Sequence, residues 1–140
     1  MIKSVNLGEE IVITAKNRIG ILADIALMLS NNGINIDAAM GYEADGTAKL
    51  FLVTKANIVI VDELRKKGYK PIKETEVVVV DLENKPGALK VVTTALKEKS
   101  IDIKHLYVTS PMSGANSSRM VFKTSDNETA IAVLSEYVVK

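Results

Sequence analysis

The sequence predicts an α+β protein built from two copies of a βαββαβ unit. Three observations carry this prediction: the chain repeats itself, each copy alternates strand and helix patterns, and the composition is that of a globular protein. The chain has 140 residues, of which 47% are hydrophobic and 25% charged. A chain of this size can bury a core without disulfides or metals, so we expect two small domains.

The repeat is visible when the chain is laid over itself. A change of offset within the copies indicates a short insertion in the second one, which we place in the turn around Ser113 to Asn116. Two copies of this length indicate two domains rather than a solenoid. The coinciding positions include Asn17 with Asn84, Arg18 with Lys85, Gly20 with Gly87, Leu22 with Leu89, Ile34 with Ile101, Thr54 with Thr124 and Asn57 with Asn127.

Each copy begins with a strand followed by a helix. The β-branched runs Glu10 to Lys16 and Glu76 to Leu82 predict buried strands. Apolar residues then recur at spacings of three and four, which predicts an amphipathic helix that Asn32 and Gly33 end in the first copy. The recurring residues are Ile21, Leu22, Ile25, Met28 and Leu29 in the first copy and Leu89, Val92, Ala95 and Leu96 in the second.

A hairpin follows the helix in each copy, and Asp45-Gly46 is its turn in the first. A second helix comes next. Ser125 and Glu128 form a capping-box pattern at its start in the second copy, whereas the β-branched run Ile58 to Val61 leaves helix and strand both open in the first. The hairpin strands are Ile34 to Tyr42 with Leu50 to Thr54, and Ile101 to Thr109 with Arg119 to Thr124.

Only one copy has its own fourth strand. Tyr69 to Thr75 supplies it in the first copy, but the chain ends at Lys140 before the second copy reaches it. With the strand order 4-1-3-2, this absence would leave the apolar run Val77 to Val80 as a bare edge. We therefore expect Ile2 to Leu7 to complete that sheet, within the chain or from a partner subunit.

Composition and charge argue against several classes of function. Eighteen Lys and Arg balance 17 Asp and Glu to a net charge of +1, which favours neither nucleic acid nor membrane as a partner. The absence of Cys excludes disulfides, thiolate metal sites and cysteine nucleophiles, and a single His105 leaves little for metal or acid–base chemistry. No apolar run approaches the roughly 20 residues that span a bilayer, so we expect a cytoplasmic protein.

The sequence contains no motif of a common enzyme class. GxxxxGK[ST], GxSxG and HExxH are all missing. RNA recognition motifs share the βαββαβ plan, but they need aromatic residues on strand one, and here that strand has none. We therefore expect no enzyme activity, no catalytic residues, no cofactor and no metal.

The turn between strand one and helix one resembles that of the ACT domain. Residues 15–22 and 82–89 carry Asn-Arg-Ile-Gly and Asn-Lys-Pro-Gly, similar to the Asn-x-Pro-Gly turn of that family, and residues 33–36 resemble its Gly-x-Asn-Ile start of strand two. The resemblance implies two ferredoxin-like βαββαβ (ACT) domains packed side by side, with antiparallel sheets and helices on one face. The expected divisions are an N-terminal strand (1–8), domain 1 (9–75) and domain 2 (76–140).

The resemblance also implies a regulatory function. ACT domains sense small ligands, most often amino acids, at a seam between domains or subunits. We therefore expect a stand-alone regulatory module, a homodimer, that binds an amino-acid effector and signals to a metabolic enzyme or regulator in trans. The alternative is a protein-interaction subunit without a small ligand.

The chemistry of the turns suits a carboxylate. Glycine lets the backbone approach a ligand, and the first amides of the following helix are expected as free donors at its positive end. An Asn side chain can then recognise either end of a zwitterion. The candidate ligand-binding residues are Asn17, Arg18, Ile19, Gly20, Ile21, Leu22, Asn35, Asn84, Lys85, Pro86, Gly87, Ala88, Leu89 and Asp102.

The resemblance further implies how these residues are paired. In ACT domains similar to the regulatory part of phosphoglycerate dehydrogenase, the turn Asn and the Asn that opens strand two of the adjacent domain both contact the amino acid. This implies Asn17 facing Asp102, whose carboxylate would suit an α-ammonium, and Asn84 facing Asn35. The competing structural interpretation is that Asn17 and Asn84 only cap helix one.

Overall fold

The computed structural model describes residues 1–110 and 116–138, and these residues form six strands and four helices. The insertion expected at Ser113 to Asn116 falls outside the described residues except for Asn116. None of the four helices in these ranges is long and apolar enough to cross a membrane. In chain order the elements are β1 (Ile2–Lys16), α1 (Ile21–Asn31), β2 (Ala38–Ala44), β3 (Thr47–Val53), α2 (Asn57–Lys66), β4 (Ile72–Leu82), α3 (Ala88–Glu98), β5 (Ile103–Thr109), β6 (Ser118–Thr124) and α4 (Asn127–Ser135).

The chain divides into two compact units. We call Glu9–Thr75 the central unit, and Met1–Gly8 together with Glu76–Lys140 the split unit. The strand order is β2-β3-β1-β4 in the central unit and β1-β4-β6-β5 in the split unit. β3 pairs antiparallel with β1 and β2, and β6 does the same with β4 and β5. The first segment of β1 thus lies beside β4 in the split unit, and the expected α+β class is confirmed.

Two pairs of expected strands are in fact single strands. Ile2 to Leu7 and Glu10 to Lys16 both belong to β1, and β4 continues from Ile72 through Leu82. Gly8 does not end the first of them. A Cβ at Gly8 would lie 2.9 Å from a methyl group of Val79, so glycine here permits close packing within the split unit rather than a turn.

The core of the central unit lies between its sheet and its two helices. α2 is a helix, and its burial decides the ambiguity of Ile58 to Val61: Ile60 and Val61 are buried, whereas Ile58 and Val59 are exposed. The hairpin turn is confirmed, because Asp45 and Gly46 both have positive φ as a tight turn requires. The core residues are Ile11, Ile13, Ile21, Ile25, Met28, Leu29, Ala48, Leu50, Leu52, Ile60, Val61 and Leu64.

The core of the split unit includes the beginning of the chain. Ile2 is fully buried, and Met1 and Val5 pack against the same cluster. Residues 1–8 therefore contribute apolar side chains as well as a strand. The other buried members are Val78, Val80, Leu82, Ala88, Val92, Ala95, Leu96, Ile101, Met120, Phe122, Ala130 and Leu134.

A duplicated hydrogen-bond network explains one pair of repeated positions in each unit. In the central unit the Thr54 hydroxyl donates to Asn57 Oδ1 at 2.7 Å, and Asn57 Nδ2 donates to the Glu9 carbonyl at 3.1 Å. In the split unit the Thr124 hydroxyl likewise donates to Asn127 Oδ1, and Asn127 Nδ2 donates to the Glu76 carbonyl. The network joins the start of α2 to β1 in the central unit, and the start of α4 to β4 in the split unit.

The capping-box prediction at the last helix is wrong. The N-cap of α4 is Asp126, whose carboxylate accepts from the Thr129 amide at 3.1 Å. The Ser125 hydroxyl instead accepts from the Asp102 amide at 3.1 Å, which connects α4 to the start of β5. The N-cap lies one residue later than predicted, because Asp is as good an N-cap as Ser.

Candidate ligand-binding site

The two predicted turns have the same backbone conformation. Gly20 (φ 88°) and Gly87 (φ 90°) are the N-cap residues of α1 and α3, and both are left-handed. Glycine adopts this conformation without the penalty that a Cβ carries. A Cβ at Gly20 would meet no atom within 4 Å, while one at Gly87 would lie 3.5 Å from the Met1 side chain. The first turn is thus open to a ligand, and the second is partly covered by Met1.

Asn17 and Asn84 do not cap the helices. The N-caps are glycines and neither receives a side-chain hydrogen bond. Asn17 is exposed, and its backbone amide donates to the Gly46 carbonyl at 2.8 Å. Within the described residues, the side-chain amides of Asn17 and Asn84 make no hydrogen bond. Both can therefore donate to and accept from a ligand.

The expectation of three free amides in each turn needs correction. The Ile21 amide donates to the Arg18 carbonyl and the Ala88 amide to the Lys85 carbonyl, each at 3.3 Å. These turn bonds form because the left-handed glycine folds the chain back on itself. Among the described residues, the amides on either side, at Gly20 and Leu22 and at Gly87 and Leu89, have no such partner. The donors available to a carboxylate are two per turn.

The apolar residues of the turns are exposed. Ile19 has no buried surface, and Leu22 and Leu89 are about half exposed although the helical spacing placed both on the core face. That placement is wrong because Ile21 and Ala88 occupy the core position at the start of each helix. Pro86 is also exposed, immediately before Gly87. Each turn thus presents an apolar side chain beside its free amides.

The cation of each turn is already paired. The Arg18 guanidinium donates to the Asp24 carboxylate at 2.5 Å and to the Tyr69 hydroxyl at 3.4 Å, and the hydrogen bond to Asp24 raises the pKa of Arg18. Lys85 lies 2.8 Å from Glu83, and its hydrogen bond lowers the pKa of the Glu83 carboxyl. These pairs leave the uncharged Asn side chain as the ligand-facing group of each turn.

The residues that open the second strand of each unit line shallow cavities. Asn35 lies in a cavity of about 380 Å³ in the central unit, together with Asp37 and Lys55, and its amide donates to Asp37 at 3.4 Å. Asp37 and Lys55 are not among the residues predicted from the sequence, because the turn motif does not specify where they lie. They add one charge of each sign beside Asn35.

Asp102 occupies the corresponding position of the split unit. It lines a cavity of about 480 Å³, and its carboxylate lies 2.8 Å from the Lys104 ammonium. Asp102 is expected to offer its carboxylate to a ligand ammonium, but the Lys104 ammonium competes for that carboxylate. Lys104 would have to move before a ligand ammonium could take its place.

Within one unit, the turn and the start of the second strand are far apart. Lys16 pairs with Thr47 at one end of the sheet, whereas Glu10 and Ala38 both pair with Val53 at the other end. Six steps along a strand correspond to about 20 Å. The turn at Asn17 and the strand start at Asn35 therefore cannot hold one amino acid within a single central unit.

The outer strands of the two units have a free side. Among residues 1–110 and 116–138, β2 has only β3 as a neighbour, and β5 has only β6. A further strand can therefore be added at either one.

Comparison with known proteins supports the fold. No protein-family model matches the sequence, and no curated protein matches it significantly. A solved structure from Bacteroides thetaiotaomicron matches with a TM-score of 0.85 and 22% identity, over 95% of this chain and 90% of that one. The regulatory subunit of aspartate kinase from Thermus thermophilus matches with a TM-score of 0.68 and 13% identity, over 96% and 97% of the two chains. The chain has the ACT-type fold.

A further regulatory subunit also matches this chain over almost its whole length. The regulatory subunit of aspartate kinase from Thermus flavus matches with a TM-score of 0.65 and 16% identity, over 95% of this chain and 94% of that one. Both kinase neighbours are regulatory subunits that this chain covers almost completely.

Proposed function

We propose that this chain is a tandem ACT regulatory module that senses a small amino acid, with ferredoxin-like domains at residues 9–75 and 76–140, the second completed by residues 1–8. The observation that carries the proposal is the duplicated turn, which combines a left-handed glycine with two amides and an Asn side chain that have no hydrogen-bond partner in the described part of the chain. Backbone amides at a helix start suit a carboxylate, and the Asn suits either end of a zwitterion. The ACT-type fold agrees with this function.

The ligand site is proposed to lie between subunits. In neither unit does the strand pairing bring the turn to the start of the strand that follows the helix, which is β2 or β5, and among the described residues both of these strands have a free side. If β2 pairs antiparallel with β2 of a second copy, the start of one β2 lies beside the end of the other. The Asp45-Gly46 turn at that end is bonded to Asn17. The seam would therefore place Asn17 of one subunit next to the partner subunit's Asn35.

The β2 edge is better suited to pairing than the β5 edge. β2 has the sequence AAMGYEA, with Glu43 as its one charged residue and no proline. β5 carries Lys104 and an irregular register between Ile103 and His105, both of which protect edge strands from pairing. We therefore assign β2 to the dimer, with Asn17–Asn35 as its ligand pair. The pair Asn17–Asp102 would form instead if β2 met β5 of the second copy.

Signalling would follow from a shift of population. A ligand that contacts both subunits binds only the paired arrangement and stabilises it. A partner enzyme or regulator that recognises this arrangement then responds to the amino acid. The competing function, a protein-interaction subunit, requires the same free edge but no ligand.

A thermal-shift screen against the twenty amino acids at millimolar concentration tests the sensor function. A ligand at ~100 times its Kd stabilises the folded state by about 2.7 kcal/mol, which raises the Tm by several degrees. We expect one amino acid or a few related ones to give this shift. The shift given by a ligand at the seam should disappear in Asn17→Ala, because the Asn17 side chain is exposed and makes no hydrogen bond within the described residues.

Three further variants decide which pairing holds. Loss of the shift in Asn35→Ala but not in Asp102→Ala supports the β2–β2 seam, and the reverse result supports β2 with β5. Asn84→Ala reports whether the second turn contributes. A screen without any shift, with the variants folded as the wild type, would instead favour the interaction subunit.

The dimer interface has its own test. Lysine on an edge strand opposes strand addition. Tyr42 on β2 and Val108 on β5 are both about half exposed, so Tyr42→Lys and Val108→Lys are matched substitutions at the two edges. We expect light scattering after size exclusion to show a monomer for Tyr42→Lys and a dimer for Val108→Lys. A wild-type monomer, or a dimer that only Val108→Lys disrupts, would contradict the assignment.

A further inference from the structure

The central unit has a polar groove between its two helices. The groove has a volume of about 410 Å³, and it lies between α1, α2 and Tyr69. Met28 and Leu27 of α1 form its apolar part. Asp24 lines it from α1 and Glu63 from α2. Two carboxylates thus stand on the facing sides of a helix pair, where apolar residues usually pack.

The split unit shows which residues stand at the positions of Asp24 and Glu63 when the two helices pack directly on each other. Asp24 corresponds to Val91 and Glu63 to Val133 in the split unit. Both valines are partly buried against the core, and α3 and α4 pack on each other. The fold therefore needs no charge at these two positions. These two positions of the central unit are therefore free to serve a purpose other than packing.

The charges in the groove are balanced but not all paired. Arg18 neutralises Asp24 at one end. Glu63 is 29% exposed and has Lys66 at 3.6 Å, a loose ion pair. Lys67 lines the groove, and it has no ion pair among the described residues. Asn31 also lines it, and its amide makes no hydrogen bond within the same part of the chain.

We propose that this groove binds a zwitterion of amino-acid size. The ammonium would face Glu63, and the carboxylate would face Lys67 and the Asn31 amide, with the body of the molecule over Leu27 and Met28. An ion of a single sign would meet a like charge in the groove, because Glu63 and Lys67 both line it. A zwitterion satisfies both groups.

This site does not include the ligand pair of the proposed subunit seam, although Arg18 of the first turn lines the groove. Asn17 and Asn35 do not line the groove, and every residue that does belongs to one central unit. The groove would therefore bind its ligand in a monomer as well as in a dimer. Failure of the seam proposal leaves this one untouched, and the reverse also holds.

Amide chemical-shift mapping by NMR on the full chain tests the groove. Each of the twenty L-amino acids is added in turn, with acetate and methylammonium as probes of one sign. We expect at least one amino acid to shift the amide signals of Asn31, Lys67 and Tyr69, while acetate and methylammonium shift none of them. If no amino acid does so, or if acetate or methylammonium does so equally, the proposal is wrong.

A pair of variants supplied by the repeat provides the control. Glu63→Val with Lys67→Tyr installs the residues of the split unit, Val133 and Tyr137, and should weaken binding about tenfold or more because a charged contact is lost. Arg65→Ser lies on the same helix outside the groove, copies Ser135 and should leave the affinity unchanged. Equal affinity in the double variant would overturn the proposal. So would loss of binding in both variants at an unchanged Tm.

Discussion

Replacing Ile2 by Asp is expected to unfold the split unit. Ile2 is fully buried in the core of that unit, on the segment of β1 that lies beside β4. Removing a buried Ile side chain costs about 2–5 kcal/mol, and an unpaired carboxylate in the same place adds a desolvation penalty. A domain of this size has only about 5–15 kcal/mol in total. Urea unfolding and hydrogen exchange at the amides of β4 measure the loss.

Asn6→Asp is the matched control for this prediction. Asn6 lies on the same strand but is exposed, so the same new charge should change stability little. The central unit should keep its exchange protection in both variants. Equal stability of Ile2→Asp and Asn6→Asp would show that residues 1–8 do not contribute to the core.

Asn57→Ala is the second substitution with a large expected effect. Asn57 is buried, accepts from the Thr54 hydroxyl and donates to the Glu9 carbonyl. Alanine removes the acceptor of the Thr54 hydroxyl and the side-chain donor to the Glu9 carbonyl, although the Thr54 oxygen still accepts from the Ala56 amide. A buried polar group that loses its partner costs about 1–3 kcal/mol. We expect a loss of about 2–3 kcal/mol in the free energy of unfolding. Denaturant titration measures it.

The repeat again provides the comparison. Asn127 makes the same contacts in the split unit and also accepts from the Thr124 amide at 3.0 Å, but it is only partly buried and its bond to the Glu76 carbonyl is exposed. Water can replace that bond, so Asn127→Ala should cost about 1 kcal/mol. An Asn127→Ala loss as large as that of Asn57→Ala would show that burial does not set the cost.

The sequence predicts the α+β class and the order of helices and strands because the repeat and the hydrophobic spacing are properties of consecutive residues. The Asp45-Gly46 turn is an example, since its positive φ angles need only local chemistry. Strand ends are less predictable. The boundary between Thr75 and Glu76 is not a break in β4, because tertiary pairing continues through residues with no turn signal.

The candidate site is predictable only in its backbone. The glycine motif indicates the left-handed N-caps at Gly20 and Gly87. The partners of the charged side chains are not in the motif: Asp24 takes Arg18, and Lys104 takes Asp102. Those ion pairs depend on distances in space, which spacing along the chain does not specify. They change which groups of the site can face a ligand.

The division of the split unit into two segments has a consequence for the order of folding. The central unit consists of consecutive residues, so all of its strands and helices are present once Thr75 has been added. The split unit must join residues 1–8 to a strand that lies about 70 positions later, and closing so long a loop is slow. During synthesis the first eight residues emerge before any of their partners exist. The central unit therefore has all of its residues before the split unit does. Ile2 stays exposed until residues 76–134 have been synthesised and can pack against it.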